Sequence, residues 1–220
     1  MKIEKRTFDF LNKLKENNNR EWFVENKDDY QFALDNVTEM IQQIILRLAA
    51  LDPHIHDSIA AKKCLFRIYR DVRFSKNKDP YKTWFAAGIS VDGRKLDGPE
   101  YYIHIEPGHV FLAAGYWRPA KAHLEAIRQE IDYNTDALFA SLKKGGWEPE
   151  SLSSEDKLKR PPAGYNADHP QIELLKHKSF ILHIDLQRKQ MESEEALNLI
   201  IENYQRMMPF KTFLHQALDQ

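Results

Sequence analysis

Apolar positions along the first fifty residues recur at steps of three and four, with polar residues between them. Phe8, Phe10, Leu11 and Leu14 form a first set, bounded by Thr7, a hydroxyl residue able to cap a helix, and by the polar triplet Asn17-Asn18-Asn19. Asn19 then stands where a cap would open a much longer segment. Its apolar residues Phe23, Tyr30, Leu34, Val37, Ile41, Ile44, Leu48 and Leu51 fall on one stripe, and Asp52-Pro53 stops it. The pattern predicts one long amphipathic helix near the N-terminus.

Beyond Pro53 the period shortens. Lys63 to Tyr69, rich in aromatic and branched residues, reads as a strand, and Trp84 to Val91 reads as a second one closed by Asp92-Gly93. Tyr101 to Glu106, the turn Pro107-Gly108 and Val110 to Tyr116 read as a β-hairpin. Strands that follow one another without helices between them favour antiparallel pairing. Pro119 opens a helix through Leu124, Ile127 and Ile131, and a further helical piece spans Thr135 to Leu142 before Gly145-Gly146. Ser151 to Asp168, with its serines, charges and Pro161-Pro162, is the most loop-like stretch and is expected to be flexible. Phe180 to Leu186 is a last strand. Ser193 is positioned to cap a final helix carrying Leu197, Ile200, Ile201 and Tyr204, which Pro209 should end. The expected architecture is α+β: a single domain over residues 1–220, with one antiparallel or mixed sheet flanked by helices.

Composition narrows this picture. At 220 residues, 42% apolar and 11% aromatic, the chain can bury a sizeable core and is not a disordered tail. Its one cysteine, Cys64, cannot form an internal disulfide, which suits a reducing cytoplasm. Met1 to Arg6 lacks the apolar core of a signal peptide, and no run approaches about 18 apolar residues, so no membrane span is expected. A formal net charge of −1 makes the whole molecule no polycation. Yet Lys62 to Lys82 holds eight cationic residues against Asp71 and Asp79, a local +6 that leaves −7 for the remainder. Arginine offers a planar fork to phosphate or carboxylate, and lysine adds point charge.

Several ordered motifs surround this segment. They are Asn17-Asn18-Asn19-Arg20-Glu21-Trp22-Phe23, Phe66-Arg67-Ile68-Tyr69-Arg70-Asp71-Val72-Arg73-Phe74-Ser75-Lys76, Pro80-Tyr81-Lys82, Tyr101-Tyr102-Ile103-His104-Ile105-Glu106-Pro107-Gly108, Pro162-Ala163-Gly164-Tyr165 and His169-Pro170. With these motifs the chain resembles the family of domain of unknown function 2461, conserved hypothetical proteins of bacteria and fungi, over nearly its whole length. The resemblance implies one compact domain and carries no assigned activity with it.

The leading functional expectation is therefore an anion site. Arg67, Arg70, Arg73, Lys76 and Lys82 would hold a phosphate- or carboxylate-bearing ligand, unless they pair internally with Asp71, Glu21 or Glu106. A nucleic-acid-binding module using the same loop and an exposed aromatic is the first alternative. The second is a metal-independent enzyme for an acidic substrate, with His104 beside Glu106, or His169, as general base. Alternation puts Tyr102, His104 and Glu106 on one face of their strand, expected to be solvated, and Tyr101, Ile103 and Ile105 on the other. His104 and Glu106 are too few to ligate an ion and His109 lies across the turn, so neither metal nor cofactor is expected. Asp168-His169-Pro170 also fits a helix entry. Glycine-rich phosphate loops, a nucleophile-elbow serine and zinc-type cysteine pairs are all missing from the sequence, which argues against the common ATPase, dehydrogenase and hydrolase designs.

Overall fold

A computed structural model of the chain describes residues 1–94 and 97–219. The expected α+β class holds. Helices α1 (Lys5–Glu16), α2 (Arg20–Glu25), α3 (Lys27–Ala49) and α4 (Ala61–Cys64) precede strands β1 (Phe85–Ile89), β2 (Glu100–Glu106) and β3 (His109–Tyr116). Then follow α5 (Lys121–Tyr133), α6 (Thr135–Lys144), α7 (Ile172–Leu175), β4 (Phe180–Leu186), α8 (Arg188–Met191) and α9 (Ala196–Leu218). The four strands form one open antiparallel sheet in the order β1-β2-β3-β4.

Two compact units make up the chain. The first comprises Met1–Lys95, Tyr102–Leu112 and Asp185–Ile201. In it α1 packs on α3 through buried Phe8, Phe10, Leu11 and Leu14 and through Val37, Met40, Ile41 and Ile44. Each such side chain contributes about 1.5–3 kcal/mol on burial. Thr7 is not a cap. It lies inside α1, fully buried, and its hydroxyl donates to Asn36 Oδ1 at 2.9 Å, which also accepts from the Glu4 amide. The predicted long amphipathic helix is present as α3, with its expected first turns split off as α2. Asn19 does cap, accepting from the Trp22 amide at 2.9 Å. Asn26 then closes α2, because its side-chain amide and its backbone N–H both donate to the Trp22 carbonyl.

The expected strand over residues 63–69 is absent. Residues through Cys64 close the short α4, and the chain then runs extended beside residues 80–87 with only the isolated bridges Leu65–Ala87 and Tyr69–Tyr81. Pro80 accepts from the Arg70 amide but has no N–H to return, so a continuous ladder cannot propagate there.

The second unit comprises Leu96–Tyr101, Ala113–Ile184 and Glu202–Gln220. Its α5 packs on α6 and α7, and the buried Arg128 guanidinium donates to the carbonyls of Leu175 and His177. Residues 151–168 carry little regular structure, but the Ser153 and Leu158 amides donate to Ile181 and Lys176, and Asp156 receives Arg118 and Lys178. Gly115, with φ near +139°, brings the backbone of β3 so close to β4 that a Cβ there would stand 1.9 Å from the Phe180 oxygen.

Two expectations about α9 fail. Ser193 donates to the Gln190 carbonyl instead of capping, and Pro209 lies inside the helix instead of ending it. Phe210, Phe213 and Leu214, all buried beyond the proline, are worth about 5–9 kcal/mol together, more than the roughly 3 kcal/mol an internal proline costs.

Candidate functional site

The basic segment does not act as one group. Arg73 is engaged by Asp71 in a two-point ion pair, Nε to Oδ1 at 3.0 Å and Nη2 to Oδ2 at 2.7 Å, and this holds the Asp71 carboxyl below its usual range. Arg70 lies 3.9 Å from Asp79 and reaches Ser75 Oγ. Lys76 is exposed, with no ion pair among the described residues. Asp71 and Asp79 therefore pair with part of the expected cluster, at Arg73 and Arg70.

Arg67, Lys76 and Lys82 keep no carboxylate partner among the described residues; of these Arg67 and Lys82 stand together, and the fold adds a residue outside the segment. Gly93, at φ +80°, turns the chain so that its backbone passes Lys63, where a Cβ would meet Lys63 atoms at 3.1 Å. The turn delivers Arg94, whose Nε donates to the Leu65 carbonyl at 2.9 Å and whose guanidinium lies 5.1 Å from the Phe66 ring centre. Lys82 Nζ donates to the Arg67 carbonyl at 2.7 Å and stands 5.5 Å from the Phe66 ring and 4.7 Å from the Trp84 ring. Burial pushes the Lys82 pKa down, and the positive charges of Arg67 and Arg94 push it further the same way. Among the described residues none of these three cations has a carboxylate within ion-pair distance.

The N-terminal motif fixes this group from behind. Asn18 donates to the Tyr81 carbonyl at 3.0 Å and accepts from the Tyr81 amide at 3.1 Å, while Phe23 stacks on the Tyr81 ring at 4.0 Å. Lys82 follows directly in the chain.

Next to Trp84 lies the polar face of the hairpin. The expected solvation fails at His104, which is 8% exposed, stacked on Phe111 and 4.9 Å from the Trp84 ring centre, while Tyr102 and Glu106 are partly exposed. Burial lowers the His104 pKa against the raising influence of Glu106. His104 Nδ1 is 3.2 Å from the Tyr102 hydroxyl, its Nε2 is 3.4 Å from Glu106 Oε2, and Thr83 Oγ1 donates to Glu106 Oε1 at 2.9 Å. Strand β3 begins at His109, one residue earlier than the sequence pattern suggests, so the two-residue turn sets His109 opposite Glu106. One ligand-type atom from each of His104, Glu106 and His109 falls within 4.8 Å of the others.

His169 sits in the second unit. Its Nδ1 accepts from the Gln171 amide, leaving Nε2–H to donate to Asp132 at 2.8 Å. Both ring nitrogens are thus hydrogen-bonded near the entry of α7. Cys64 is fully buried and in no disulfide.

Sequence reasoning misses Arg94 and the floor formed by Phe66 and Trp84, and it sets His109 aside as lying across the turn. Arg94 was hidden by the boundary of the charged run. The one-residue shift in strand start is what turns His109 from a residue across the turn into the partner of Glu106. The profile of the family described as Conserved hypothetical protein (DUF2461) matches residues 6–213, and the chain belongs to that family. The search of curated proteins returned no match. Among the described residues no helix is long and apolar enough to cross a membrane.

Proposed function

We propose that the chain binds a small organic anion, one that joins a phosphate or carboxylate to a flat ring, at Arg67, Lys82 and Arg94. The observation that carries the reading is Lys82: a half-buried ammonium, flanked by two guanidinium groups, whose hydrogen-bond partner is a backbone carbonyl. The charges of exposed Arg67 and Arg94 disfavour the partly desolvated Lys82 ammonium, and an incoming anion relieves that repulsion. Phe66 and Trp84 supply apolar faces for a ring, as small-molecule sites commonly do. The buried lone cysteine fits work in the cytoplasm.

Adenosine monophosphate, inorganic phosphate and benzoate are suitable probes, titrated calorimetrically into the full chain. The nucleotide should bind more tightly than either fragment. R67A, K82Q and R94A should each weaken it about 10-fold or more, as expected for a lost charge-assisted hydrogen bond of about 1.5–3 kcal/mol. No heat with any probe, or nucleotide binding indifferent to all three substitutions, refutes the site. Tighter binding of a single-stranded oligonucleotide than of the mononucleotide, falling steeply with salt, would move the assignment to nucleic acid.

A further inference from the structure

We propose that His104, Glu106 and His109 form a binding site for a divalent transition-metal ion of the Zn2+ class, through His104 Nε2, Glu106 Oε2 and a ring nitrogen of His109. The proposal is independent of the anion reading in its ligands: His104, Glu106 and His109 are not among the anion's cations, and only the Trp84 ring borders both.

The first support is geometric. Metal–ligand bonds of about 2.0–2.1 Å in tetrahedral geometry put neighbouring ligand atoms about 3.4 Å apart. His104 Nε2 and Glu106 Oε2 stand at 3.4 Å, which matches that edge and is long for a hydrogen bond. One donor atom from each of His104, Glu106 and His109 lies within 4.8 Å of the other two. His109 is exposed at the first position of β3, so its side chain can rotate by the remaining distance without repacking the core.

The second support is the set of groups behind the ligands. A ligating histidine is normally oriented through its other nitrogen, and a ligating carboxylate through its other oxygen. Here His104 Nδ1 meets the Tyr102 hydroxyl and Glu106 Oε1 takes the Thr83 hydroxyl. In each case the atom left over is the one that faces the trio. Trp84 and Phe111 pack against the His104 ring, at 4.9 and 5.0 Å between ring centres, and hold its orientation.

Two imidazoles and one carboxylate select zinc, cobalt or nickel over magnesium or calcium, which want oxygen ligands. Three protein ligands also leave a coordination position open, the arrangement of reactive zinc sites and not of closed structural ones.

The test uses the purified full chain, stripped with a chelator and titrated with Co2+ and Zn2+ against a chromophoric competitor. One ion per chain should bind, with the intense visible bands of low-coordinate Co2+, and Mg2+ should not compete. H109A, which removes an exposed side chain, and E106Q should each weaken binding by about 100-fold or more. T83V, acting only through Glu106, should weaken it by about 10-fold. Circular dichroism checks that each variant is folded, and H109A alone suffices if another is not. Absence of uptake by the parent chain overturns the proposal, and so does uptake that survives H109A.

Discussion

Glu100 opens β2 in a half-buried position, and burial alone raises its carboxyl from the ordinary 4.5 to about 7. Replacing it with glutamine keeps the shape and removes the titration. In the folded chain the acid holds its proton to higher pH than in the unfolded chain, so the native state binds more protons between these two values. Stability is therefore unaffected below about pH 4.5, falls by close to 1.4 kcal/mol per pH unit above it, and levels off past about pH 7. The rise from 4.5 to about 7 corresponds to about 3 kcal/mol of native-state penalty at pH 8, present in the parent and absent in E100Q. For a domain of this size that is roughly 6–12 °C in Tm. Urea denaturation of both proteins at pH 4, 5, 6, 7 and 8 measures it, with the slope m required to stay constant. The difference curve should open with rising pH in favour of E100Q, by about 3 kcal/mol across the range. Parallel curves would show that the carboxyl is hydrated or paired after all, and would refute burial as the cause.

Two further perturbations separate the site from its surroundings. R73A removes an exposed arginine already satisfied by Asp71, so nucleotide affinity should change less than about twofold and stability by less than about 1 kcal/mol; a large affinity loss by calorimetry would return Arg73 to the site. N18A breaks both hydrogen bonds to the Tyr81 backbone and should cost about 1–3 kcal/mol in urea denaturation. Because Lys82 is the next residue, the same variant should also bind the nucleotide more weakly, and an unchanged midpoint with unchanged affinity would show that the clamp is idle.

Much of the fold can be read from local pattern. The stripe of Val37, Ile41, Ile44 and Leu48 requires a helix whatever it packs on, and the Pro107-Gly108 turn between alternating segments requires a hairpin, because a proline-fixed φ followed by glycine at +84° suits a type II turn. Local pattern misleads where a tertiary term opposes it. Branched and aromatic residues at 63–69 carry strand propensity, but Pro80 withholds the donor their neighbour would need. Pro209 carries the sign of a helix end, but the core beyond it holds α9 together to Leu218.

The site divides in the same way. The residues themselves revealed that positive charge gathers between Lys62 and Lys82, and that His104 and Glu106 share a strand face. Charge is additive along a chain and side-chain alternation is a property of the backbone, so neither needs coordinates. Which cations stay unpaired is a matter of distances between segments remote in sequence. Asp71 and Asp79 claim two arginines, the Gly93 turn brings in Arg94, and the hairpin register carries His109 to His104 and Glu106. Such distances are set by packing and by turn geometry, and only the folded chain fixes them.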